Sequence, residues 1–216
     1  MTRLLRNVAK AALKPPRGYD LYTDIRKLID PKIIFDVGAN IGQSTEAYLA
    51  YFDPFVVHSF EPAEATFALL TRRFAGNTKV RLHRNAFGSH AGSLRMNTRE
   101  GPSEMFAVSP NGNEEVTVLT LDQLDERRID FLKIDTEGYD LEVLRGADRM
   151  LREKRIAALQ VEAGMNPRND RHVPLEMLKS FLEDRSYFLF GIYEQLNEWF
   201  TGDPWLRRSN LVFVPA

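Results

Sequence analysis

Short apolar runs and amphipathic segments alternate along most of this chain. Apolar runs bounded by polar or turn residues predict buried strands, and apolar residues at helical spacing predict the helices between them. The predicted strands are at about residues 32–37, 55–60, 79–84, 131–135, 156–162, 187–193 and 211–214. The predicted helices are at about residues 20–29, 43–52, 63–75 and 139–151, with another from Pro174. Such alternation is typical of an α/β fold built on a mostly parallel sheet. The last two strands have no helix-length segment between them, so we expect an antiparallel pair there.

Two stretches fall outside this alternation. Short alternating runs at 93–98 and 115–120 predict strands or a hairpin around a long loop at 99–113, and loops of that length are more often functional than idle. We interpret residues 103–106 of this loop (Ser, Glu, Met, Phe) as a lid over the site. Residues 3–13 place apolar side chains on one helical face and carry basic residues but no acid. This pattern predicts a short helix docked on the domain edge, and a basic helix that contacts an anionic surface or partner is the alternative.

Composition narrows the class of protein. The chain has 216 residues and 44% hydrophobic content, which suits one α/β domain at 31–216 preceded by a helical extension at 1–30. Its net charge of −1 gives no basic field for nucleic acid, and its lack of cysteine excludes disulfides, thiol catalysis and cysteine-ligated zinc. No apolar run approaches the roughly 20 residues of a membrane span. Because the charged N-terminus also lacks the apolar core of a signal peptide, we expect a cytoplasmic protein.

A glycine-rich turn follows the first predicted strand. Residues 36–42 read DVGANIG, and glycine lets a ligand lie against the backbone because it has no Cβ. The second strand ends in Glu61, where an acid is well placed to bind a ribose diol. The turn lacks the third glycine of a dinucleotide site, and Asp36 would repel a pyrophosphate. These residues favour S-adenosylmethionine, with an NAD-dependent oxidoreductase or a non-catalytic cofactor-binding module as alternatives.

Several motifs occur in a characteristic order along the chain. They are DVGANIG at 36–42, FEP at 60–62, NAFG at 85–88, LKIDTEG at 132–138 and YDLEVLRGA at 139–147. Together they resemble the FkbM family of S-adenosylmethionine-dependent methyltransferases, over about residues 31–214. The resemblance implies a Rossmann-like class I methyltransferase fold. Its seven-stranded, mostly parallel sheet would have the order 3-2-1-4-5-7-6, with strand 7 antiparallel and helices on both faces. It also implies O-methylation of sugar hydroxyls or of natural-product alcohols.

The expected cofactor contacts lie at the carboxyl ends of the predicted strands. We expect Asp36 to accept from the methionine ammonium group, Glu61 to accept from both ribose hydroxyls, and Asn85 with Ala86 to lie at the adenine edge. The full expected set is Asp36, Gly38, Asn40, Gly42, Ser44, Glu61, Asn85, Ala86 and Asp135.

Three acids define the expected catalytic side. Asp135 and Glu137 close the fourth strand, and Glu162 closes the fifth. Clustered acids raise one another's pKa, and a carboxylate with a raised pKa near a hydroxyl can act as general base. We therefore expect Asp135 or Glu137 to be the base, with Glu162 as a substrate ligand or second acid.

The acceptor side involves basic residues. Lys133, Arg168, Arg171 and His172 are the expected substrate contacts, with the arginines suited to a phosphate or carboxylate. Lys133 has an alternative role as an ion-pair partner for one of the acids. The acceptor is expected to be a small molecule or a glycan, and the N-terminal helices could form a homodimer contact. In an alternative mechanism, Asp135, Glu137 and Glu162, with or without His172, would hold Mg²⁺ or another divalent ion. The spacing alone does not establish such a site.

Overall fold

The computed structural model describes residues 16–98, 107–199 and 201–216. The helices are α1 (Leu21–Leu28), α2 (Gln43–Phe52), α3 (Glu64–Arg73), α4 (Asp140–Arg145), α5 (Asp148–Arg152) and α6 (Leu175–Glu183). The strands are β1 (Ile33–Val37), β2 (Val56–Phe60), β3 (Val80–His83), β4 (Ala86–Phe87), β5 (Gly92–Asn97), β6 (Ala107–Val108), β7 (Glu114–Leu119), β8 (Ile129–Ile134), β9 (Ile156–Gly164), β10 (Tyr187–Asn197) and β11 (Leu206–Pro215). The helix expected at 3–13 and the lid at 103–106 lie outside the described residues.

Seven strands form the main sheet, in the order β10-β11-β9-β8-β1-β2-β3. Its neighbouring strands β3, β2, β1, β8 and β9 pair in parallel. In contrast, β11 is antiparallel to both β9 and β10. Counted along the chain, these seven strands have the order 3-2-1-4-5-7-6, which confirms the predicted topology. The carboxyl ends of β1, β2, β8 and β9 therefore meet at one edge of the sheet.

A second, four-stranded sheet has the order β4-β7-β5-β6. Its strands β5 and β7 are antiparallel neighbours, which confirms the strands predicted at 93–98 and 115–120. Leu94, Met96 and Val108 of this sheet face the carboxyl edge of the main sheet. The small sheet thus forms one wall of the cleft at that edge.

Buried apolar side chains cover both faces of the main sheet. Neighbouring residues of β1 point to opposite faces, so Phe35 joins one core cluster and Ile34 the other. Side chains of α4, α5 and α6 complete the Phe35 cluster, and those of α1 and α2 complete the Ile34 cluster. Ile25 of α1 is fully buried against this second face. In the described parts of the chain, no helix has the length and apolarity to cross a bilayer.

The single helix predicted at 139–151 is wrong in detail, because the chain breaks it into α4 and α5. The carbonyl of Gly146 accepts from the backbone N–H of Asp122 (2.9 Å), so it turns away from the helical ladder. The Asp122 carboxylate then accepts from two backbone N–H groups in the first turn of α5. A Cβ at Gly146 would collide with the Gly88 carbonyl, so the break also lets two loops approach closely. These partners come from distant segments that helical periodicity does not report.

Candidate active site

A cleft of about 270 Å³ opens at the carboxyl edge of the main sheet. The glycine-rich turn forms its floor, and the small second sheet forms one wall. The predicted residues that line it are Gly38, Asn40, Ser44, Glu61, Asn85, Ala86, Lys133, Asp135, Glu137 and Glu162. Other predicted residues, all within the described ranges, lie outside its wall: Asp36, Gly42, Arg168, Arg171 and His172. The structure thus brings Glu61 and the three expected catalytic acids into one cavity, whereas Asp36, the acid expected at the methionine ammonium group, lies outside it.

The turn between β1 and α2 depends on its glycines. Gly38 has φ +76°, and a Cβ there would collide with the backbone carbonyl of Asp135. Gly42 has φ +92°, and a Cβ there would press into the side chains of Leu70 and Phe74 beneath the turn. Both positions require the left-handed conformation that glycine adopts without strain. The turn is therefore held against β8, with its upper surface facing the cleft.

Glu61 lies at the end of β2 and is 7% exposed. Its two oxygens accept from the backbone N–H of Asn40 (3.0 Å) and of Ala63 (2.9 Å). Burial nevertheless raises the pKa of Glu61 to about 7. Each carboxylate oxygen has a second lone pair, so Glu61 can still accept from a ligand hydroxyl in the cleft.

Asp36 is fully buried below the cleft. Thr45 donates to one of its oxygens (2.7 Å), and the Nζ of Lys133 lies 3.3 Å from the other. The same Nζ lies 3.3 Å from Asp135 and donates to the carbonyl of Gly38 (3.0 Å). Burial alone would lower the pKa of Lys133, but Asp135 and Asp36 raise it above its ordinary value. Lys133 therefore forms ion pairs with both acids, and its role as a substrate contact stays a prediction.

Glu137 projects into the cleft from a strained turn after β8. Its φ is +51°, a conformation that non-glycine residues rarely adopt. The buried carboxylate of Asp140 holds this turn by accepting from the backbone N–H groups of Thr136 (3.3 Å) and Gly138 (3.2 Å). Burial and the charge of Asp135 raise the pKa of Glu137 to about 7. Asp140 was not among the expected site residues, yet it sets the direction of Glu137.

His172 lies behind the cleft wall, beside two of the acids. Its Nε2 atom is 2.9 Å from Oε2 of Glu162 and 3.8 Å from Oε2 of Glu137. Burial lowers the pKa of His172, an effect that Glu137 partly offsets. Arg208 pairs with the other oxygen of Glu162. Glu162 is thus held between a guanidinium group and an imidazole ring.

The two predicted arginines occupy different environments. Arg168 pairs with Asp203 (3.2 Å) and lies over the ring of Trp205, so it points away from the cleft. Arg171 lies 3.7 Å from Glu137 and borders a second surface pocket. Their roles as acceptor contacts stay predictions.

Arg208 lines the cleft but was not expected from the sequence. It lies on β11, in register with Gly164 of β9, which places it beside the carboxyl end of that strand. No motif marks it, and only the antiparallel pairing of β11 with β9 could have located it.

Comparison with known proteins shows which family the chain belongs to. The family model described as the methyltransferase FkbM domain matches residues 36–189. The chain belongs to the FkbM methyltransferase family. It is 29% identical over 153 residues to the hexuronic acid methyltransferase AglP of Haloferax volcanii, covering 63% of this chain and 59% of that protein. It is 27% identical over 154 residues to Methyltransferase 1 of Beauveria bassiana, covering 58% of this chain and 62% of that protein.

Solved structures support the fold of this FkbM family member. The methyltransferase FkbM from Methylobacillus flagellatus KT has a TM-score of 0.57 and 20% identity, covering 84% of this chain and 44% of that chain. A tRNA (m1A22) methyltransferase of Streptococcus pneumoniae described as putative, in complex with S-adenosyl-L-methionine, has a TM-score of 0.53 and 12% identity, covering 90% and 72%. At these identities the likeness shows the fold alone. The aligned region spans about six-tenths of the length of each curated relative.

Proposed function

We propose that this protein is an S-adenosylmethionine-dependent O-methyltransferase that acts on a hydroxyl of a sugar-containing or small natural-product acceptor. The observation that carries the proposal is the shared cavity of Glu61 and the pair Asp135–Glu137. Glu61, after β2, suits a ribose diol, and the two acids follow β8 at the same edge of the sheet.

The residues of the cleft fit this cofactor. Gly38 and Asn40 offer a backbone surface without bulky side chains, and Glu61 retains lone pairs for two ribose hydroxyls. Asn85 and Ala86, at the start of β4, supply polar backbone and side-chain groups for an adenine edge. Asp36 lies too deep to meet the ligand directly, so we assign it to holding Lys133 beneath the turn.

For methyl transfer the protein must position the acceptor oxygen against the methyl group and remove the hydroxyl proton, and little else is required. The acceptor oxygen attacks the methyl carbon in line at about 3 to 3.5 Å, the carbon–sulfur bond breaks, and its electron pair stays on sulfur as a neutral thioether. The hydroxyl proton must pass to a base. Glu137 suits that role because its pKa of about 7 lies near neutral pH, whereas Lys133 pairs directly with Asp135. We retain Glu162 as a second acid that orients the acceptor.

The acceptor class is inferred from chemistry and from one relative. AglP carries the name hexuronic acid methyltransferase, and Arg208 places a guanidinium group on the cleft wall. A sugar that carries an acidic group could pair that group with the guanidinium group of Arg208. We expect no nucleic-acid partner, because the chain has a net charge of −1. A dimer contact through the N-terminal helices stays a prediction.

Two experiments test the proposal. Calorimetric titration with S-adenosylhomocysteine, with NAD⁺ in parallel, should show micromolar binding of the first and none of the second. Binding of NAD⁺ alone would overturn the proposal.

Transfer of labelled methyl to neutral glycosides and to glucuronides would then identify the acceptor. Mild base removes a methyl ester but not a methyl ether, so it separates carboxylate from hydroxyl methylation.

A further inference from the structure

Three potential metal ligands meet where the cleft approaches the loop after β9. They are Oε2 of Glu137, Oε2 of Glu162 and Nε2 of His172, and one ligand atom from each lies within 4.8 Å of the others. Glu162 and His172 are almost fully buried, at 2% and 7% exposure, while Glu137 is partly open to the cleft.

The hydrogen bonds of Asn169 define which nitrogen of His172 carries a proton. The Nδ2 of Asn169 donates to the carbonyl of Arg207 (2.8 Å), which fixes the orientation of the amide. Its Oδ1 atom therefore faces Nδ1 of His172 at 3.0 Å, and it also accepts from the backbone N–H of Arg171 (3.1 Å). An amide oxygen can only accept, so Nδ1 of His172 must be the protonated nitrogen.

This tautomer turns the other face of the imidazole ring into an acceptor. Neutral His172 then presents the lone pair of Nε2 to Oε2 of Glu162 at 2.9 Å, and both atoms are acceptors. Arg208 pairs with Oε1 of Glu162, the opposite oxygen, and so does not separate them. Two lone pairs held this close in a buried setting repel each other unless a proton or a metal ion lies between them.

We propose that Glu137, Glu162 and His172 bind one divalent transition-metal ion. With bonds of about 2.0 to 2.2 Å, adjacent ligand atoms lie about 3 Å apart, close to the observed 2.9 Å between His172 and Glu162. Glu137, at 3.8 Å from His172, needs only a small side-chain rotation. An imidazole nitrogen with two carboxylates favours Mn²⁺, Fe²⁺ or Zn²⁺ over Mg²⁺.

The surroundings have the other features of a metal site. A histidine ligand usually donates its second N–H to a fixed acceptor, and Asn169 provides that acceptor here. Glu137 and Glu162 both line the cleft, so open coordination positions would face the acceptor, and the cleft offers an entry path. Three protein ligands with open positions are typical of catalytic rather than structural ions.

The consequence for catalysis rests on the proposed function. A bound ion would have Glu137 as a ligand and would lower the pKa of the acceptor hydroxyl; without an ion, Glu137 would accept the proton itself. The binding of metal can be tested without cofactor or acceptor, so its failure is distinct from failure of methyl transfer.

The test uses the full chain, stripped with a chelator and titrated with Mn²⁺ while free Mn²⁺ is followed by electron paramagnetic resonance. Zn²⁺ content after dialysis gives the stoichiometry. We expect one ion per chain, and complete loss of this site in Glu162→Gln and His172→Gln. Asn169→Ala should weaken binding by about 10- to 100-fold, because it only orients the ligand.

Matched controls are His90→Gln and Glu176→Gln, both at exposed positions outside the cluster, which should bind like the wild type. Far-ultraviolet circular dichroism checks folding. If the buried variants fail to fold, the partly exposed Glu137→Gln still tests the proposal. Loss of the metal site in this variant supports the proposal, and an unchanged site contradicts it. The proposal is overturned if the wild type binds neither ion at millimolar metal, or if all folded ligand variants retain the site.

Discussion

Lys133 separates Asp36 from the cleft, with its Nζ atom 3.3 Å from Oδ1 of Asp36. Both side chains are buried, at 0% exposure for Asp36 and 5% for Lys133. The same ammonium group donates to the carbonyl of Gly38 and pairs with Asp135. One buried cation thus fixes the glycine turn, the end of β1 and the end of β8 relative to one another.

Replacing Lys133 should destabilise the whole domain. Lys133→Met leaves Asp36 buried without its cation, and removing one partner of a buried pair costs about 3 to 5 kcal/mol. Urea denaturation should show that loss in the free energy of unfolding. Lys179→Met is a matched control, because Lys179 pairs with Glu183 on the surface and should matter much less. Equal losses in the two variants would contradict the buried-pair argument.

Cofactor affinity should rise with pH through neutrality. The pKa of Glu61 is about 7 rather than 4.5, so the carboxyl is mostly protonated at pH 6 and mostly ionised at pH 8. The ionised form accepts ribose hydroxyls better, so S-adenosylhomocysteine should bind about tenfold more tightly at pH 8 than at pH 6. Calorimetric titration across this range measures the effect.

Glu61→Gln is the control for this pH dependence. Glu137 also has a pKa near 7, so the wild-type profile alone does not identify the titrating group. The variant should bind about 10- to 100-fold more weakly at pH 8, with a flat profile between pH 6 and 8. A variant that keeps the wild-type slope would remove Glu61 from the ribose site.

The sheet could be predicted from local patterns because each strand carries its own signal. The apolar run of β1 and the glycine turn after it need no distant partner to be recognised. The break between α4 and α5 could not be predicted, since the carbonyl of Gly146 bonds to Asp122 in another segment. Periodicity records which face is apolar, not where a remote hydrogen bond interrupts a helix.

The sequence predicts that the site lies at the carboxyl edge of the sheet, but it does not predict the side-chain contacts within the site. A position at a strand end places Asp36, Glu61 and Asp135 at the carboxyl edge, yet it does not tell which side chain points inward. Asp36 is buried, whereas Glu61 reaches the cleft. The position of Arg208 at the cleft depends on the register between β11 and β9, and no local sequence pattern defines that register.

Glu137 should contribute to the chemical step and not to cofactor binding. Glu137→Gln removes the base while keeping the size of the side chain, so kcat should fall by about 10²- to 10⁴-fold with an active hydroxyl acceptor. Binding of S-adenosylhomocysteine should be unchanged. Glu176→Gln, an exposed acid on α6, is the matched control for the same chemical change. Full turnover in Glu137→Gln would show that another group takes the proton.

The two glycines Gly38 and Gly76 allow backbone strain and steric collision to be separated. Their φ angles are +76° and +79°, so alanine meets similar left-handed strain at both positions, about 1 to 2 kcal/mol. A Cβ at Gly76 has no neighbour within 4 Å, whereas one at Gly38 collides with the carbonyl of Asp135. Gly38→Ala should therefore be more destabilising than Gly76→Ala in urea denaturation.

Gly38→Ala should also affect the ligand. Relief of the collision must move the turn away from β8, and that shifts the floor of the cleft beside Asn40. Calorimetry should show weaker binding of S-adenosylhomocysteine in Gly38→Ala and wild-type binding in Gly76→Ala. If both variants lose the same stability and both bind the ligand normally, the turn must accommodate a Cβ. Close approach of the turn to β8 would then not be what requires glycine at position 38.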